Sequence, residues 1–200
     1  MAKILIIYSG HDINGSTANL AGMIAHGVEN NCCTAVVKRA QEVTAQDFIG
    51  ADGYILGSGD YNGNPEPEMI AFFDQVLGAG KVGKIDLSRK PFSVFSTSAG
   101  YSTGSQYVLN AMARSMMTFG AIFVGGGNWH TSQGLSGMVA TIPNKPGSWC
   151  WYDPTGMQKH LYEDACALGG RVSEMAKTLL SAKPTSPQCV KNSCSMANGC

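Results

Sequence analysis

Ile4-Leu5-Ile6-Ile7-Tyr8, then Ser9-Gly10-His11-Asp12-Ile13-Asn14-Gly15-Ser16-Thr17, then Ala18-Asn19-Leu20-Ala21, is the stretch that decides how this chain folds. An apolar run of strand length empties into a loop of small and hydroxylated residues. The loop opens directly into a segment where Leu20, Ala21, Ile24, Ala25 and Val28 recur at helical spacing, so one face of that helix is buried. A loop between a buried strand and a helix N-terminus collects free backbone N–H groups and the positive end of the helix dipole. It is suited to an anion, phosphate above all.

The same rhythm repeats downstream. Thr34 to Lys38, Gly53 to Gly57, Phe92 to Phe95 and Ala121 to Val124 read as four further strands. Met69, Phe72, Phe73, Val76 and Leu77 predict a helix from about Pro67 to Leu77, and Val108, Met112, Met116 and Phe119 predict another. Strand, loop and helix in alternation predict an α/β fold with a doubly wound, five-stranded parallel sheet, order 2-1-3-4-5, and helices on both faces. Gly125 to Gly156, rich in Gly, Pro, Ser and Trp, breaks the rhythm and reads as a functional or interfacial loop. Leu161, Ala165, Leu168, Val172, Met175 and Leu179 then mark a last long helix, whose apolar seam could be core or interface. One domain over residues 1–182 is expected, followed by a tail, 183–200, dominated by Pro, Ser, Asn and Cys.

Bulk composition narrows the partners. Lys plus Arg equals Asp plus Glu at 14 each, so no net field steers the chain to nucleic acid or an acidic membrane. No apolar run reaches the ~18 residues of a membrane helix. The chain enters a strand straight after Met1-Ala2-Lys3, without a signal-type apolar run, so a cytoplasmic location is expected. Cys32, Cys33, Cys150 and Cys166 are scattered and are expected to be buried thiols. Cys189, Cys194 and Cys200 offer three soft ligands, but at no standard metal spacing and with a fourth missing; no metal site is expected.

Three loops converge on one sheet edge in this topology. Ser9, His11, Asn14, Gly15, Ser16 and Thr17 belong to the first. Ser58, Gly59, Asp60, Tyr61, Asn62 and Gly63 belong to the second, where one exposed aromatic suits a wall beside a flat ligand and Asp60 reads as an Asx-turn. Ser96, Thr97, Ser98, Ala99, Gly100, Tyr101 and Gly104 belong to the third. The hydroxyls and amides of the first loop can hold a phosphate without Lys or Arg.

At these residues the chain resembles the flavodoxin-like superfamily. It is most similar there to the multimeric flavodoxins and tryptophan-repressor-binding-protein-like type IV NAD(P)H:quinone oxidoreductases. The likeness runs through the opening strand and loop, Ile55-Leu56-Gly57-Ser58 to Met69 and Phe73-Asp74-Gln75, Lys90 to Thr97, and Leu168-Gly169-Gly170-Arg171-Val172. It implies bound FMN: phosphate at Ser9 and Asn14 to Thr17, one side of the isoalloxazine at Gly59 to Gly63, its polar edge at Ser96 to Gly104. It also implies NAD(P)H as a transient electron donor, a small acceptor such as a quinone, and a homodimer or homotetramer. The first loop is closer to ordinary flavodoxins than to the quinone reductases. Tyr61, Tyr101, Trp129 and His130 are the candidates for packing and substrate contact, His130 being the catalytic candidate because histidine is the side-chain type suited to proton transfer near neutral pH. The alternative expectation is a flavodoxin-type electron carrier without NAD(P)H activity, against which the balanced charge and the long Trp-bearing loop argue.

Overall fold

Alternation of side chains along the strands builds two cores on either side of one sheet. A computed structural model describes residues 1–78, 86–100, 103–141, 149–151 and 160–182. Its elements are β1 (Lys3–Ser9), α1 (Ser16–Asn30), β2 (Thr34–Arg39), α2 (Ala45–Ile49), β3 (Gly53–Tyr61), β4 (Asn64–Pro65), α3 (Pro67–Phe72), β5 (Pro91–Ser98), α4 (Ser105–Thr118), β6 (Ile122–Phe123), β7 (Leu135–Thr141), β8 (Trp149–Trp151) and α5 (Leu161–Ser181). In β1, Ile4, Ile6 and Tyr8 join Leu20, Ile24 and Val28 of α1 and Leu168 and Val172 of α5. Leu5 and Ile7 point the other way and meet Phe48, Phe72, Val108 and Met112 from α2, α3 and α4. Strands buried on both faces are continuously apolar, as the opening run is.

The sheet runs β2-β1-β3-β5-β7-β8 and is parallel from β2 to β7. This is the expected doubly wound order with two differences. The expected fifth strand, Ala121 to Val124, is short and split. β6 pairs with β5 only at Pro91 and Phe92, and β7 takes up the same lane at Phe95 to Ser98. Gly125-Gly126-Gly127 lets the chain leave the sheet between them, and Gly126 N donates to Thr131 O (2.8 Å), closing the excursion at its base. The second difference is β8, antiparallel to β7. Gly125 to Gly156 is therefore not one loop; its described part holds two strands. The helix expected to Leu77 is α-helical only to Phe72 and continues as a π-helical turn over Phe73–Leu77.

α5 packs on α1 through glycines. A Cβ on Gly27 would lie 2.0 Å from the carbonyl oxygen of Cys166, and one on Gly169 would lie 2.3 Å from that of Ile24. The seam of α5 is thus core, with Leu168, Val172 and Ala176 buried, while Met175 and Leu180 face outward. Cys33 is buried as expected, but Cys32 and Cys150 are exposed. Among the described residues no helix is long and apolar enough to cross a membrane.

Candidate functional site

Four serines stand in register across four strands, toward the C-terminal ends of β1, β3 and β5 and at the start of β7: Ser9 beside Ser58, Ser58 beside Ser96, Ser96 beside Ser136. Ser9 Oγ donates to Ser58 Oγ (3.1 Å), Ser58 Oγ donates to Gly59 O (2.8 Å) and accepts from Glu66 N (2.8 Å), and Ser96 Oγ donates to Ser136 Oγ (3.3 Å). Ser9, Ser58 and Ser96 are buried, with their hydroxyls directed to one another or to backbone. They floor the sheet edge rather than line its cavity.

Above that floor, an open cavity of about 280 Å³ lies where β1 and β3 diverge. Open α/β sheets bind ligands in such a crevice. Gly15, Ser16 and Thr17 line it from the start of α1, Gly59 and Asp60 from the end of β3, and Thr97, Ser98 and Ala99 from the end of β5. His11 and Asp12 stand at its mouth, and the His11 ring meets Tyr61 edge-on at 5.4 Å. Thr17 Oγ1 and Thr97 Oγ1 lie 2.7 Å apart, joining the first and third loops. Gly15 occupies the N-cap and supplies no side-chain cap, and the first turn of α1 carries no acidic residue. Its amides and hydroxyls are a neutral cradle that fits a phosphate held by N–H groups and the helix dipole.

The second loop is a β-hairpin. Asp60 pairs with Pro65 and Tyr61 with Asn64 across a two-residue Asn62-Gly63 turn, whose φ values of 53° and 80° are what this turn requires. Gly63 N donates to Asp60 Oδ1 (2.8 Å), so Asp60 is the Asx-turn residue its sequence context suggests, with Oδ2 buried and without a partner among the described residues. Asn14, Tyr61, Asn62 and Gly63 do not line the cavity. Gly63 instead lies against Gly104, where a Cβ would come within 2.5 Å of the Gly63 Cα, which fixes the hairpin to the start of α4. Tyr101 lies outside the described residues, as do Cys189, Cys194, Cys200 and the tail. Among the described residues no cluster of His, Cys, Asp or Glu could hold a metal.

A second cavity of about 250 Å³ adjoins the first and shares Ser98 with it. Gly100, Ser105, Gln106, His130, Thr131, Ser136 and Asp164 give it polar walls, and Leu135, Met138 and Leu161 an apolar base. His130 Nε2 is 3.1 Å from Asp164 Oδ2, and Asn128 Nδ2 donates to Asp164 Oδ1 (2.8 Å). Asn128 Oδ1 in turn accepts from Thr131 N (3.0 Å), capping the short turn that carries His130. The excursion between β6 and β7 thus delivers His130 to the mouth of β5.

Glu66, Asn128, Gln106, Ser136 and Asp164 are absent from the sequence reading. Glu66 sits in Pro65-Glu66-Pro67-Glu68, which reads as a solvated connection, yet it is only 5% exposed and lines the first cavity. Burial pushes its carboxyl above the usual range, while His11 pulls it down, Glu68 pushes it up and Arg39 pulls it down.

Residues 2–136 match the model of the NADPH-dependent FMN reductase family. The chain is 33% identical over 126 residues to a flavodoxin of Aquifex aeolicus, a match covering 62% of this chain and 65% of that protein, so it spans just under two thirds of that relative. It is 25% identical over 145 residues to an NAD(P)H dehydrogenase (quinone) of Rhodopseudomonas palustris, covering 62% of this chain and 71% of that one. The structure of a flavodoxin, WrbA-like protein from Agrobacterium tumefaciens superposes with a TM-score of 0.63 at 20% identity, over 88% of this chain and 98% of that one, and shares its fold.

Proposed function

The chain belongs to the NADPH-dependent FMN reductase family, with FMN and a reduced nicotinamide as its cofactors, and on that premise we propose that it is an NAD(P)H-dependent reductase of a small acceptor such as a quinone. One observation carries this reading: the cavity at the start of α1 and the cavity holding His130 meet at Ser98. A cofactor anchored in the first would present its edge to a molecule held in the second.

FMN supplies the two-electron redox chemistry when bound. Gly15, Ser16 and Thr17 hold its phosphate, Gly59 and Asp60 wall one side, and Thr97, Ser98, Ala99 and Gly100 supply backbone and hydroxyl groups to its polar edge. Ser9, Ser58 and Ser96 keep the three loops in register from below. His130, oriented by Asp164, faces the acceptor and can give a hydrogen bond or a proton to its oxygen. His11, Tyr61 and Trp129 stand at the rims; Trp129, 82% exposed, supports a homodimer or homotetramer in which a second copy covers it. A cytoplasmic location belongs to the same reading.

The likeness to the Aquifex flavodoxin favours a second reading, an electron carrier without nicotinamide turnover. The two separate when FMN-loaded protein is mixed with NADPH under anaerobic conditions and flavin absorbance is followed. Rapid bleaching, reversed by benzoquinone, is the expected result. A spectrum unchanged by both NADPH and NADH would leave only the carrier.

A further inference from the structure

Glu66 presents a problem for any phosphate in the first cavity. Its side chain is nine-tenths buried, Oε2 has no partner among the described residues, and Oε1 rests against Gly59, where a Cβ would lie 2.4 Å away. Gly59 is what makes room for the carboxyl on the α1 side of β3, beside the loop that carries His11. Among the described residues no Lys or Arg lines this cavity, and Asp12 and Asp60 add carboxylates to its wall. A charged Glu66 facing a phosphate would be a buried like-charge pair, which is strongly unfavourable. A carboxylic acid in the same position has one O–H to donate and adds a donor to those of the cradle.

We propose that Glu66 holds the FMN phosphate as an uncharged acid, donating its O–H to a phosphoryl oxygen, so that cofactor binding takes up a proton wherever Glu66 is ionised beforehand. This deepens the FMN reading and rests on it. Among the described residues, the charged and titratable groups around Glu66 are His11 and Asp12 from the loop after β1, Arg39 at the end of β2, Asp60 at the end of β3 and Glu68 from α3. Arg39 is partly engaged elsewhere, its guanidinium donating to Gly10 O (3.0 Å).

The test is FMN affinity of the full-length apoprotein between pH 6.5 and 8.5, by flavin fluorescence, for wild type and Glu66→Gln. Wild-type Kd should rise toward about tenfold per pH unit once Glu66 is ionised in the free protein, the limit for uptake of one proton. Glu66→Gln, a neutral donor of similar shape, should stay flat to within about threefold above pH 7, where the phosphate is already a dianion. Riboflavin, which lacks the phosphate, should show no difference between the two proteins. Calorimetry of wild type at pH 8 in buffers of differing ionisation enthalpy gives a second readout that needs no variant, with uptake approaching one proton per FMN expected. Parallel pH profiles, the same slope with riboflavin, or no proton uptake would overturn the proposal while leaving FMN binding intact. No FMN binding at any pH would instead overturn the cofactor reading, and this inference with it.

Discussion

Thr17 Oγ1 and Thr97 Oγ1 lie 2.7 Å apart in the buried wall between the first turn of α1 and the end of β5, eighty positions apart in the chain. The pair clamps the start of α1 to the strand that carries the third loop. Removing one hydroxyl strands the other without a partner, whereas removing both leaves an apolar contact of the same shape. Thr17→Val and Thr97→Val should each lower stability by about 1–3 kcal/mol. The double variant should lose less than the sum. Urea unfolding of the three variants measures the coupling, and strict additivity would show that the hydroxyls do not interact.

Two glycines of α1 should respond oppositely to the same change. A Cβ at Gly22 meets nothing within 4 Å, so Gly22→Ala should stabilise by about 0.5–1 kcal/mol through helix propensity alone. A Cβ at Gly27 would collide with the Cys166 backbone at 2.0 Å, so Gly27→Ala must push α5 off α1 and should cost about 1–3 kcal/mol or more. Thermal melts of both variants decide it; a stabilised Gly27→Ala would mean the two helices are not in this contact.

Glu66 should make the cofactor-free protein pH-sensitive in a defined sense. Its folded-state pKa lies above the unfolded value, so its favourable contribution is complete below the unfolded pKa, near 4.3, and is lost as pH rises through the folded pKa. Wild type should therefore lose stability relative to Glu66→Gln as pH increases from about 4 toward neutrality and beyond. Denaturant midpoints for the two proteins across that range provide the check, and a constant gap would contradict it.

His130 and Asp164 act on the acceptor in the proposed reaction, not on the anchoring of the cofactor. His130→Ala should lower turnover with a quinone by about 100-fold, the lower end of what a positioned proton donor contributes. Asp164→Asn, which can no longer accept from both His130 and Asn128 as a carboxylate does, should give a smaller loss in the same parameter. FMN content, read from absorbance, should remain that of wild type in both. Unchanged turnover in His130→Ala would remove it from the catalytic role.

The opening run of β1 was legible because a strand buried on both faces must be apolar throughout, and the helix after it must carry apolar residues at 3.6 spacing. The three converging loops were legible for a related reason. In a doubly wound sheet, chain order dictates which loops share an edge. Asp60 could be read as an Asx-turn because its partner is only three residues away. The split of the fifth strand was not legible, since Gly125-Gly126-Gly127 looks alike whether it begins a long loop or an excursion that returns to the same lane. The burial of Glu66 was hidden too, because a charged residue between prolines signals solvent unless a cavity elsewhere in the chain receives it.

The sequence alone determined the local and periodic features: strands, helices, their order, and hence the sheet edge where the three loops meet. Those follow from residue type and spacing over a few positions. Only the tertiary structure decided that Ser9, Ser58, Ser96 and Ser136 stand in one row, that His130 meets Asp164, and that Glu66 is buried beside the α1 cradle. Each of these depends on strand register or on a contact between residues far apart in the chain, and no local propensity encodes such a distance.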